Sequence, residues 1–175
     1  MEVGILDFSV SASQWKGSHV KGTLGQGTHI VRECCRAAGV EVRDLHRGWR
    51  GKLDVVMAGL FWWEHAYDLV LTLAAHGIEP DRVRRGGHPL VFVGGQLPSY
   101  NPGVLASIAD LACIGDGEEV GPEVLRRLAS GAAVRDLVEI PGVYVSEADN
   151  CAEWQQVADI TGPVRWPFIN RTVED

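Results

Sequence analysis

The stretch Leu90-Val-Phe-Val-Gly-Gly-Gln-Leu-Pro-Ser-Tyr-Asn-Pro102, followed by Asp110-Leu-Ala-Cys-Ile-Gly-Asp-Gly-Glu-Glu119, decides the fold. Leu90 to Val93 is a short apolar, β-rich run, the pattern of a strand buried on both faces of a parallel sheet. Gly94-Gly95 then permits a sharp turn and leaves no side chain in the space above it. Ser99 and Asn101 are good helix N-cap types and Pro102 suits a first helical position, so a short helix is expected there. The unit then repeats. Leu111 to Ile114 reads as a strand, Gly115-Asp116-Gly117 as a turn, and Glu118-Glu119 as the acidic opening of a helix, favoured by the helix dipole. Two consecutive strands thus end in glycine turns on one edge of a sheet, the edge at which open α/β sheets bind ligands.

The flanking sequence extends this pattern. Val3 to Phe8 is the first expected strand, and Ser9 to Gly27 a long Gly/Ser-rich connection of a length associated with function. Gly25-Gln-Gly27 leads into a helix from Thr28 to Ala38; its free N–H groups suit a phosphate, or it is simply a turn. Val40 to Leu45 and Leu53 to Leu60 are the next strands. Phe61-Trp-Trp63 follows at a strand end, ahead of a helix from about Ala66 to Ala75. Ile78 to Gly87 is a connection rich in basic side chains. Gly142 to Val145 is a candidate edge strand. Strand and helix alternate throughout, so the expected fold is doubly wound α/β: a mainly parallel five-stranded sheet of flavodoxin-like order 2-1-3-4-5. Residues 1–145 form that domain and 146–175 a tail.

Composition narrows the function classes. With 175 residues, 46% hydrophobic and 22% charged, one globular domain with a substantial core is expected. A net charge of −7 argues against broad contact with a nucleic-acid backbone. No apolar stretch is long enough for a membrane span and the N-terminus lacks a signal pattern, so a cytoplasmic location is expected. Cys34, Cys35, Cys113 and Cys151 form neither a CxxC pair nor a CxxxCxxC set, and are read as buried reduced thiols acting as small apolar side chains. No iron–sulfur cluster is expected in this chain. The six histidines show no HxxH or HxxxH pair that would hold a metal.

Gly94-Gly95, Ser99-Tyr-Asn-Pro102, Asp110 and Ile114-Gly-Asp-Gly-Glu-Glu119 resemble the N-terminal cobalamin-binding-type domain of B12-dependent radical SAM proteins. In that family a GG turn, an (S/T)xNP segment and a D…iGdGEe segment recur at about this spacing. Pro141-Gly-Val-Tyr-Val145, Val157-Ala-Asp159 and Pro163-Val-Arg-Trp-Pro-Phe-Ile169 are similar to the family's linker to the radical SAM barrel. The DxHxxG motif of histidine-ligated cobalamin domains is missing: its Asp and His positions fall on Gly22 and Leu24, and Asp44-Leu-His46 reads as a strand end. The resemblance therefore implies cobalamin held without a histidine ligand. It implies close approach at Gly94 and Gly95, and hydrogen bonds from Ser99 and Asn101. Phe61, Trp62 and Trp63 would pack on the cofactor, with Gly25, Gly27, Gly115, Asp116, Gly117 and Glu118 completing the site. A radical SAM protein or domain is the implied partner.

Other readings of the same residues stay open. The aromatic trio serves equally as core or as an oligomer interface, and Ser99 and Asn101 as simple caps. Asp116 and Glu118 suit a turn and a helix start, or acid–base work on a nucleoside or sugar. The function expected is thus a cobalamin-binding-type module, not catalytic alone, acting with a separately encoded radical SAM partner. The alternatives are a cofactor-free interaction or nucleotide-like-ligand domain, and a small enzyme using Asp116 and Glu118.

Overall fold

The computed structural model describes residues 1–8, 26–45 and 51–156. Its elements run β1 (Val3–Asp7), α1 (Gln26–Ala37), β2 (Val42–Asp44), β3 (Val55–Gly59), α2 (Trp63–Ala75), α3 (Arg82–Arg85), β4 (Leu90–Gly94), α4 (Gln96–Tyr100), β5 (Leu111–Cys113), α5 (Gly117–Ala129) and β6 (Val143–Val145). Short 3-10 segments occupy Pro102–Leu105 and Val134–Glu139. The sheet order is β2-β1-β3-β4-β5-β6, parallel except for β6, which runs antiparallel to β5. The expected order of the first five strands is observed. The edge candidate supplies a sixth, entering at the carboxyl end of β5 because Val143 faces Cys113.

Register makes one rim of the sheet flush. Asp7 pairs with Gly59 and Gly59 with Gly94, so β1, β3 and β4 end side by side. Alternate residues then feed two cores. Val3, Ile5, Met57 and Phe92 pack with Cys35 of α1 and with Val120 and Val124 of α5. Leu6, Val56, Val91 and Val93 pack with Leu69 and Leu73 of α2 on the opposite face. This is the two-sided burial that the apolar runs demand. No helix among the described residues is long and apolar enough to cross a membrane.

The amino edge is locked by charge. Asp110, just before β5, accepts hydrogen bonds through Oδ2 from the Arg85 Nη2 and the Val91 N–H, each at 2.8 Å. Arg85 also donates to the carbonyls of Glu79, Pro80 and Ile108. Its side chain is 1% exposed and that of Asp110 8%. The basic connection therefore turns one arginine inward, while Arg82 Nε donates to the Ala106 carbonyl. Asp110 of the family-like motif thus works at the edge opposite the glycine turns.

Two local expectations are corrected. Ser99 does not cap a helix: α4 starts at Gln96 directly after Gly95, because the turn finishes within one glycine of positive φ. Asn101 precedes the 3-10 segment, with Pro102 in its first turn, but its side chain makes no capping bond. In addition, α2 starts at Trp63, three residues earlier than expected.

Breaking a buried ion pair strands one charge, which costs roughly 3–5 kcal/mol. Arg85→Met is expected to lower unfolding free energy by about that amount in urea titration; a loss below about 1 kcal/mol would contradict the role given to the pair.

Candidate functional site

A cavity of about 170 Å³ opens at the flush rim, between the first turns of α1 and α5. Its floor is sheet: Ile5, Met57, Phe92 and Cys113. Its walls are Thr28 and Val31 of α1 and Gly117 and Gly121 of α5. The glycines set its shape. A Cβ at Gly117 or Gly121 would come 3.1 Å from a Val31 methyl, so the Gly117-x3-Gly121 face lets α5 lie close on α1. A Cβ at Gly59 would come 2.6 Å from the Thr28 hydroxyl. Gly27 differs: a Cβ there meets no atom of the described residues within 4 Å.

The two glycine turns do different work from that expected. At Gly95 (φ +101°) a Cβ would lie 2.5 Å from the Leu60 carbonyl oxygen. Only glycine satisfies both that φ and that contact. Gly115 (φ +94°) is covered by the main chain of Gln155, whose carbonyl occupies the place a Cβ would need. The Gln155 N–H donates to the Ile114 carbonyl, and the Asp116 N–H to the Gln155 carbonyl, both at 2.9 Å. The beginning of the tail thus lies across the β5 end of the rim. Gly94, by contrast, has among the described residues only the Cys113 Cβ, at 3.7 Å.

Ser99 joins the turns. Its hydroxyl donates to the Gly95 carbonyl at 2.8 Å and accepts from the Gly115 N–H at 2.9 Å. Phe61 is held at the mouth by His65, whose Nδ1 accepts the Phe61 N–H at 3.0 Å while the rings meet edge to face. Burial lowers the pKa of His65 below the ordinary value, against the opposing pull of Asp68, Asp7 and Glu64. It is a satisfied core histidine.

Of the residues singled out in the sequence, Gly27, Phe61, Gly94, Gly95, Gly115, Asp116, Gly117 and Glu118 line the slot. Trp62 and Trp63 do not: they stand 64% and 72% exposed at the start of α2. Ser99 and Asn101 lie outside it as well, and Gly25 falls outside the described residues. Thr28, Val31, Gly59 and Gly121 went unnoticed; only the i, i+4 glycine spacing on α5 was a readable signal for the last.

The slot's electrostatics are sparse. Burial pushes the Cys113 thiol up to about 12, with Glu118 and Asp116 adding to the effect, so the sulfur stays protonated. Burial also raises the Glu118 carboxyl above the usual range, opposed by backbone hydrogen bonds and reinforced by Asp116. No Lys, Arg or His is among the described residues lining the slot. Nor do three His, Cys, Asp or Glu side chains gather as a metal set among the described residues. Cys34 and Cys35 are buried as expected, but Cys151 is exposed.

The family described as the N-terminal region of radical SAM proteins matches residues 44–146, more than half of the chain. The chain belongs to that family. No curated protein and no solved structure matches it. The match takes this radical SAM N-terminal domain from the end of β2 through β6, including both glycine turns, Asp110 and Arg85. The α1 wall of the slot lies outside the matched segment.

The contrast between adjacent glycines is testable in this domain. Gly95→Ala is expected to cost at least about 2 kcal/mol, from positive φ and collision with Leu60. Gly94→Ala should stay within about 0.5 kcal/mol of the parent. Equal losses in urea titration would contradict the assigned packing.

Proposed function

We propose that this radical SAM N-terminal domain is a corrinoid-holding module that works with a radical SAM catalytic partner and does not catalyse alone. The observation that carries the reading is the apolar slot at the carboxyl rim, where open α/β sheets take their ligands. Size supports a division of the ligand. An apolar cavity of about 150 Å³ holds a benzene molecule; one of about 170 Å³ suits a single aromatic base and is far too small for a macrocycle. The aromatic base of a corrinoid's nucleotide tail fits the slot, leaving the macrocycle outside over the rim.

The residues that would hold that base are Val31, Met57 and Phe92 by apolar contact and Phe61 at the mouth. The absence of a Cβ at Gly27 and Gly94 leaves room beside it. A bound corrinoid supplies cobalt-centred group-transfer or redox chemistry. The chain's own contribution is to place the tail, exclude water from the floor and keep Cys113 protonated.

The test is retention of hydroxocobalamin. The protein, mixed with it and desalted, should keep the corrin absorption. Gly27→Leu places a side chain at the lip, where a Cβ meets no described atom within 4 Å, so the fold is expected to accept it. This variant should melt no lower than the parent yet lose most of the colour. Colourless parent protein, or a Gly27→Leu variant that binds as well as the parent, would overturn the reading.

A further inference from the structure

We infer that Thr28 orients the ligand in the slot, its hydroxyl pairing with a hydroxyl of the sugar joined to the bound base. This rests on the proposed reading, in which an aromatic base occupies the slot, and adds the group that sets its depth and direction. Thr28, in the first turn of α1, is 6% exposed and lines the slot. Its hydroxyl has no hydrogen-bond partner among the described residues. Arg85 Nε is the one fully enclosed side-chain polar atom without a partner among those residues, so the Thr28 oxygen is not sealed in and opens to the slot. A polar atom in a mostly apolar lining loses its water when a ligand enters, at a cost the ligand offsets only by pairing with it.

Position decides which part of the ligand meets that hydroxyl. A Cβ at Gly59 would lie 2.6 Å from the Thr28 oxygen, so the hydroxyl stands over the last residue of β3. Met57 and Phe92, paired across β3 and β4, form the floor two residues deeper, about 6–7 Å along the strand. A base seated on that floor carries its sugar at the level of Thr28. Charge favours the sugar over the phosphate beyond it. Asp116 and Glu118 stand at the α5 end, Asp7 ends β1 beside Gly59, and no Lys, Arg or His is among the described lining residues. An anion at this level would face carboxyls with no compensating cation. A sugar hydroxyl donates and accepts, and so matches the Thr28 hydroxyl without charge.

The test titrates the full chain with three ligands: hydroxocobalamin, followed by absorption, and 5,6-dimethylbenzimidazole and its ribonucleoside, followed by ligand-observed NMR. The parent should bind the ribonucleoside about tenfold more tightly than the free base, the worth of one well-placed hydrogen bond. Thr28→Val, alike in shape but without the hydroxyl, should erase that difference, leave the free base unchanged and weaken hydroxocobalamin by the same factor. Thr28→Ser should keep the preference. Because the hydroxyl supports nothing in the ligand-free protein, Thr28→Val should melt no lower than the parent; a clear drop would show a structural role and overturn the inference. Equal binding of ribonucleoside and base by the parent, or an equal loss of both on Thr28→Val, overturns it too, while retained hydroxocobalamin leaves the corrinoid reading standing. Failure of the parent to hold hydroxocobalamin overturns the corrinoid reading, and failure to bind the ribonucleoside as well overturns this inference with it.

Discussion

The carboxyl rim of this domain is closed by main chain packed on main chain. Gly95 lies against the Leu60 carbonyl and Gly115 against the Gln155 backbone, each with no room for a single carbon more. Both hold positive φ, so steric exclusion and backbone conformation select glycine together. The Ser99 hydroxyl then bonds to both turns at once. The consequence is a rim of fixed outline with a slot, among the described residues, in the gap between α1 and α5.

That gap owes its form to a second steric condition. Gly117 and Gly121 let α5 settle on Val31, while the floor strands present Ile5, Met57 and Phe92. What remains is a narrow slot whose two carboxyl side chains, Asp116 and Glu118, sit at its α5 end. The sequence led to the expectation of a side-chain-poor edge at Gly94 and Gly95. The structure shows a narrow cleft there, partly roofed on the β5 side by the first residues of the tail.

The fold was legible because its signals are local: apolar runs of strand length, glycine stops and regular alternation with helices. The order of the first five strands followed from connection rules. Helix starts were less legible. Ser99 has the chemistry of a cap, but its partners are a carbonyl four residues back and an N–H sixteen residues on, and no local rule anticipates the second. Half of the slot was visible because glycine turns mark strand ends. Thr28 and Val31 were not, since they enter through helix packing. Trp62 and Trp63 follow Phe61 in sequence yet point away from the slot's lining, because helix α2 begins there and carries them into solvent.

The central claim is that ligand enters between α1 and α5. Hydrogen–deuterium exchange of the protein with and without hydroxocobalamin tests it most directly. Slowed exchange should appear in the first turns of α1 and α5 and in the Gly94–Gly95 turn, with the Arg85–Asp110 edge unchanged. Retained colour with no slowing in those segments, or slowing centred on the amino edge, would contradict the account.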